Sequence, residues 1–188
     1  MITKLSNWLY KISTFWVMLL TLAVMILFMV TVLPAQAATA SDESGSSESP
    51  DTSFFYSPRD LIQMAEDYGP EGRQAYIRTR WTFDLGFPLV YVSFLAVGIS
   101  WLYQTLPGNH KILTLGNILP IFAGILDYLE NSAASLVMGL FPKIVPGLPL
   151  LTAVLSGIKW LLVGGSFLLY FFLAGYSFYH WLRKRRAG

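Results

Sequence analysis

The chain has 188 residues, of which 54% are hydrophobic, 15% aromatic and 13% charged, with a formal net charge of +2 and a mean hydropathy of +0.52. Soluble domains carry about a quarter charged residues, so this composition belongs to a chain that lives largely in lipid. The absence of cysteine excludes disulfides, thiolate catalysis and cysteine-held metals, and two histidines, His110 and His180, leave little for a histidine metal or haem site.

Met1 to Lys11 reads as a short polar start carrying Lys4 and Lys11. Phe15 to Leu33 is an uncharged apolar run of 19 residues, enough to cross a hydrocarbon core of roughly 30 Å. It ends in Leu33-Pro-Ala35-Gln-Ala37-Ala38, which has the small-x-small form of a signal-peptidase site. A cleaved signal and a retained first helix both fit. The run is longer than the usual signal core, which favours retention as a signal anchor over residues 1–37. Residues 38–53 are rich in Ser, Gly and acids, with too little apolar surface to offset ordering entropy, and are expected to be a flexible external linker.

Residues 54–188 form the rest of the protein: an external amphipathic helix followed by a three-helix membrane domain. Ser57-Pro58-Arg-Asp60 predicts a helix start, with Ser57 as N-cap, Pro58 in the first turn and Asp60 completing a capping box. Its helix, 58–67, presents Leu61, Ile62, Met64 and Ala65 on one side. Gly69-Pro70 stops it and starts another, expected to run unbroken from Pro70 into a span at Trp81–Leu102. Arg73, Arg80 and Asp84 share one side of that helix. Pro88 lacks an amide for the Asp84 carbonyl, which predicts a kink there.

Gln104 to Lys111 is a polar turn, and a third span is expected over Ile112–Leu140. Gly116, Pro120 and Gly124 repeat every four residues and make a narrow ridge for close helix approach. Asp127 and Asn131 continue the same ridge, with Glu130 beside them at i+3, so the polar groups should face neighbouring helices. Phe141 to Pro149 is a turn. The last span, about Leu150 to Tyr176, carries Lys159 inside, with Gly157, Gly164 and Gly165 thinning the helix, and ends in Trp181-Leu-Arg183-Lys-Arg-Arg186.

Charge sorts these four spans. The N-terminus, the Gln104–Lys111 turn and the C-terminal tail hold Lys4, Lys11, Lys111, Arg183, Lys184, Arg185 and Arg186 and no acid; the other side holds eight of the eleven acids. The positive-inside rule puts both termini in the cytoplasm and residues 38–80 outside. The basic tail abuts a span, which favours anionic lipid over nucleic acid as its partner. The remaining acids, Asp84, Asp127 and Glu130, lie within spans, as does Lys159, about ten residues or roughly 15 Å into the last one. All converge on the outer half of an antiparallel four-helix bundle.

Charges at membrane depth are costly and mark a function or a deliberate ion pair. One reading is a lock: Asp84 pairs with Arg80 or Arg78, Lys159 pairs with Asp127 or Glu130, and helix register is fixed. The second is a site. Asp84, Asp127, Glu130, Asn131 and Lys159 form a polar pocket, and Arg73, Arg78 and Arg80 ring an external mouth that receives a small polar solute or a lipid head group. Lipid-modifying chemistry on a buried carboxylate is a further alternative, and so is an accessory subunit in contact with a membrane-protein partner. No Gly-rich phosphate loop, HExxH or Gly-x-Ser-x-Gly is present. The carboxylates and Asn131 have the chemistry to hold Mg²⁺ or Ca²⁺, but Lys159 and the arginines balance them, so neither a metal nor a cofactor is expected.

Tyr68-Gly-Pro-Glu-Gly-Arg73, Asp84 with Phe87-Pro88-x-x-Tyr91, and Asp127-x-x-Glu130-Asn131 together give a chain that resembles a broad set of small uncharacterised bacterial integral membrane proteins. The likeness covers about residues 68–135. It implies a bacterial plasma-membrane protein that uses these polar positions together, and it brings no assigned activity.

Overall fold

A computed structural model describes residues 1–32, 34, 55–106 and 111–187, and every secondary-structure element among them is helical. The expected linker at 38–53 lies outside the described residues. The elements are α1 (Ile2–Ile12), α2 (Phe15–Leu27, continued by a π-helical turn Phe28–Val32), α3 (Pro58–Asp67), α4 (Gly69–Arg80), α5 (Phe83–Thr105), a 3₁₀ segment (Lys111–Ile118), α6 (Leu119–Leu140) and α7 (Leu148–Ala187).

Three stretches are long and apolar enough to cross a membrane: Phe15–Val32, Gly69–Thr105 and Leu148–Arg186. Helix α6, which carries Asp127, Glu130 and Asn131, is less apolar, although its 22 residues span about 33 Å. Helix α7 has 40 residues, or about 60 Å. Helices α6 and α7 pack along each other, α2 packs on α5, α5 touches both α6 and α7, and α4 lies against α6.

The local signals act as their chemistry requires. Ser57 N–H donates to Asp60 Oδ2 at 2.8 Å and Asp60 N–H to Ser57 Oγ at 3.2 Å, the reciprocal capping box with Pro58 following the cap. The Ser57 amide and hydroxyl hold the Asp60 carboxyl below the usual aspartate range. Gly69 takes φ +63°, a conformation costly for a side-chain residue, and so separates α3 from α4. On the predicted ridge, a Cβ added at Gly124 would lie 2.7 Å from Val92 Cγ2 and one at Gly116 2.5 Å from Leu169 Cδ2. Hydrogen at these positions lets α5 and α7 come close.

Four expectations are corrected. The polar start is itself a helix, Ile2–Ile12, buried along Ser6 and Leu9. The segment after Pro70 does not run unbroken into the span, because a turn at Trp81–Thr82 divides α4 from α5. Thr82 Oγ1 donates back to the Arg78 carbonyl at 2.8 Å, giving a carbonyl in the last turn of α4 a local donor. The stretch expected as a third span is less regular than predicted, since it starts as a 3₁₀ segment before the α-helix begins at Leu119. Gly164 and Gly165 have nothing within 4 Å of a built Cβ, so among the described residues they mark no close approach.

The core is layered along the helices. One apolar cluster joins Tyr56, Leu61, Ala65, Tyr68 and Tyr76 to Ala134, Val137 and Met138. Another joins Tyr91, Phe94, Leu95, Ile99, Ala123 and Leu173. On α6 the charged residues Asp127 and Glu130 fall between Ala123 and Ala134, so the ionic layer is enclosed by an apolar layer on each side.

Candidate functional site

Helix α6 turns Asp127, Glu130 and Asn131 onto its buried face, as the i, i+3, i+4 spacing requires. Helix α7 brings Lys159 to meet them: its Nζ lies 2.5 Å from Glu130 Oε2 and 3.5 Å from Asp127 Oδ1. Two tyrosines complete the shell. Tyr91 of α5 donates to Asp127 Oδ2 at 3.0 Å, and Tyr56, from the segment before α3, donates to Glu130 Oε1 at 3.0 Å. All four carboxylate oxygens therefore have a partner, and Glu130 is only 2% exposed.

Tyr56 is the member that arrives from outside the spans. Its Oη also lies 3.5 Å from the Thr152 carbonyl of α7. Burial, and then the neighbouring Glu130 carboxylate, pushes its phenol well above the ordinary tyrosine range. The group is thus a protonated donor throughout the physiological range.

The second charged pair sits at the α4–α5 joint. Arg80 Nη1 binds Asp84 Oδ2, both side chains are buried, and the guanidinium lies over the Tyr76 ring at 4.5 Å from its centroid. Asp84 feels the charges of Asp127, Lys159 and Glu130, and Arg80 those of Glu130 and Asp127, so this pair lies within electrostatic reach of the α6–α7 charges. Below Pro88, the Leu85 carbonyl accepts from Tyr128 of α6 at 2.7 Å, which ties the proline-bearing turn to the helix of the cluster.

The three arginines do not ring a common mouth. Arg80 joins the cluster. Arg73 Nη1 instead donates to the Ala65 carbonyl at 2.8 Å and its guanidinium lies 4.8 Å from the Phe141 ring centroid, fastening α4 to α3 and to the end of α6. Arg78 points to the surface. The distinction is angular: on a helix, residue 78 is two positions from 80 and so faces nearly the opposite way.

Sequence reasoning missed Tyr56, because a single aromatic next to a linker has no periodicity to mark it. It also paired Lys159 with either acid, whereas the shorter contact is to Glu130. Among the described residues no three His, Asp or Glu side chains are placed to hold a metal ion. A groove lined by Ile62, Leu136, Phe141, Lys143 and Leu148 lies toward the C-terminal end of α6, outside the buried ion-pair cluster, and is walled mainly by hydrocarbon.

The chain matches no known protein family, no curated protein and no solved structure.

Proposed function

We propose that the protein is a multi-pass integral membrane protein, spanning four times as an antiparallel bundle with both termini cytoplasmic, whose ionic layer is a capped polar site on the outward half. The site binds a small polar solute or a lipid head group when its cap withdraws. One observation carries this reading: the hydroxyl that donates to Glu130 Oε1 belongs to Tyr56, which lies outside the spans and directly precedes the short helix α3. A ligand hydroxyl or amine entering beside Lys159 would take the place of that phenol. The reading includes a retained first helix, supported by the packing of α2 on α5 through Phe28 against Phe83 and Phe87, and a bacterial plasma membrane, which rests on the resemblance alone.

A second reading is favoured by the complete partnering of Asp127 and Glu130: a lock that fixes the register of α5, α6 and α7 in an accessory subunit. Mass spectrometry of the purified protein separates the two. A lipid or solute that co-purifies with the native chain and is lost in stably folded Asp127→Asn and Glu130→Gln variants supports the site. Variants that no longer accumulate in the membrane, from a parent that carries no bound molecule, support the lock.

A further inference from the structure

We infer that α1 is an in-plane anchor whose free face binds the anionic lipid surface at the end of the bundle where the chain begins. Its eleven residues and the capping Ser13 present three strips around the axis. The first strip, Ser6, Leu9, Tyr10 and Ser13, faces the protein. Ser6 Oγ lies 2.8 Å from both the Thr114 carbonyl and Asn117 Oδ1, and Tyr10 Oη donates to the Thr114 carbonyl at 2.8 Å. Asn117 Nδ2 donates in turn to Ser100 Oγ at 2.9 Å, and Gln104 Nε2 to the carbonyls of Tyr10 and Ser13 at 3.1 and 3.3 Å. These bonds fix the rotation of the helix, so its other faces are presented in a set direction.

The second strip carries Leu5 and Trp8, which are 38% and 54% exposed. The third carries Lys4, Asn7 and Lys11, all exposed. Apolar and cationic strips side by side on a helix pinned along its third side are what a helix lying at the head-group boundary requires: hydrocarbon below, ammonium groups among the phosphates. Continuity sets the depth, because only Ser13 and Thr14 separate α1 from the membrane-crossing stretch that starts at Phe15. Exposed Trp16 opens that stretch and, with Trp8, supplies interfacial indoles at the same level. The charge selects the lipid. Helix α1 has two lysines and no acid, which fits an anionic leaflet.

The natural chain has no cysteine, so single spin labels can be placed on the full-length protein. Leu5→Cys, Trp8→Cys, Asn7→Cys and Lys11→Cys are labelled and reconstituted in phosphatidylcholine vesicles containing phosphatidylglycerol, and collision with oxygen and with a soluble nickel chelate is measured. The expected result is oxygen-dominated collision at 5 and 8 and nickel-dominated collision at 7 and 11. In phosphatidylcholine alone, nickel exposure at position 5 should rise by up to about thirtyfold, the effect of two lysines near an anionic surface. Nickel-dominated collision at all four positions, or occlusion of all four from both reagents, overturns the anchor. Values at position 5 that do not change when phosphatidylglycerol is omitted overturn the choice of anionic lipid.

Discussion

Replacing Lys159 by Met removes the one amine that serves both acids of α6 and keeps a flexible apolar side chain of similar length. Glu130 Oε2 then loses its contact at 2.5 Å and Asp127 Oδ1 its contact at 3.5 Å. Both carboxylates stay buried with only the Tyr56 and Tyr91 hydroxyls. Removing one partner of a buried ion pair costs about 3–5 kcal/mol, most of it the penalty of stranding the other charge. Glu130→Gln should cost less, about 1–3 kcal/mol, because its one carboxamide oxygen can still accept from either Tyr56 or Lys159, and Lys159 keeps Asp127. The double variant removes the closer pair together, so its loss should fall short of the sum by about 0.5–3 kcal/mol. Unfolding of the purified protein in mixed micelles, titrated with a denaturing detergent, reads all three values. A Lys159→Met loss below about 1 kcal/mol, or strict additivity in the double variant, would refute the claim that these charges hold one another at close range.

The other predictions concern the surroundings of the cluster. Tyr56→Phe keeps the ring in its apolar cluster and deletes only the hydroxyl on Glu130, so α3 should detach more readily, with amide exchange over 58–67 accelerated about five- to tenfold, a cost of ~1 kcal/mol; unchanged exchange would show that the phenol does not hold the cap. Gly124→Ile drives a branched side chain against Val92 and should destabilise the protein by about 1–3 kcal/mol in the same detergent titration. The capping box makes α3 sensitive to acid. Because the folded Asp60 carboxyl is held below its unfolded range, its contribution is present above the unfolded pKa and is lost as pH falls through the depressed folded value. Exchange protection of α3, corrected for the intrinsic pH dependence, should weaken on acidification in the natural chain and show less of that dependence in Asp60→Asn.

Local rules account for what could be read along the chain. The Ser57 cap, the break at Gly69, the close-packing ridge at Gly116 and Gly124, and the shared face of Asp127, Glu130 and Asn131 each depend on neighbours within about four residues. The pattern also placed Lys159 near the acids of α6, since charges at membrane depth have few alternatives to one another. The helical start of the chain is legible too, in the spacing of Ile2, Leu5, Leu9 and Ile12.

What the order of residues determined by itself is the helical class, the stretches apolar enough to enter a bilayer and the buried face of α6, because hydropathy and a 3.6-residue repeat are properties of single segments. Tertiary structure alone decided that Lys159 lies closer to Glu130 than to Asp127, that Arg73, Arg78 and Arg80 go three separate ways, and that Tyr56 reaches in from beyond the spans to close the cluster. Those outcomes depend on the rotation and approach of helices far apart in the chain, and a rotation of one residue on a helix swings a side chain by about 100°, from a neighbour's carboxylate to open surface.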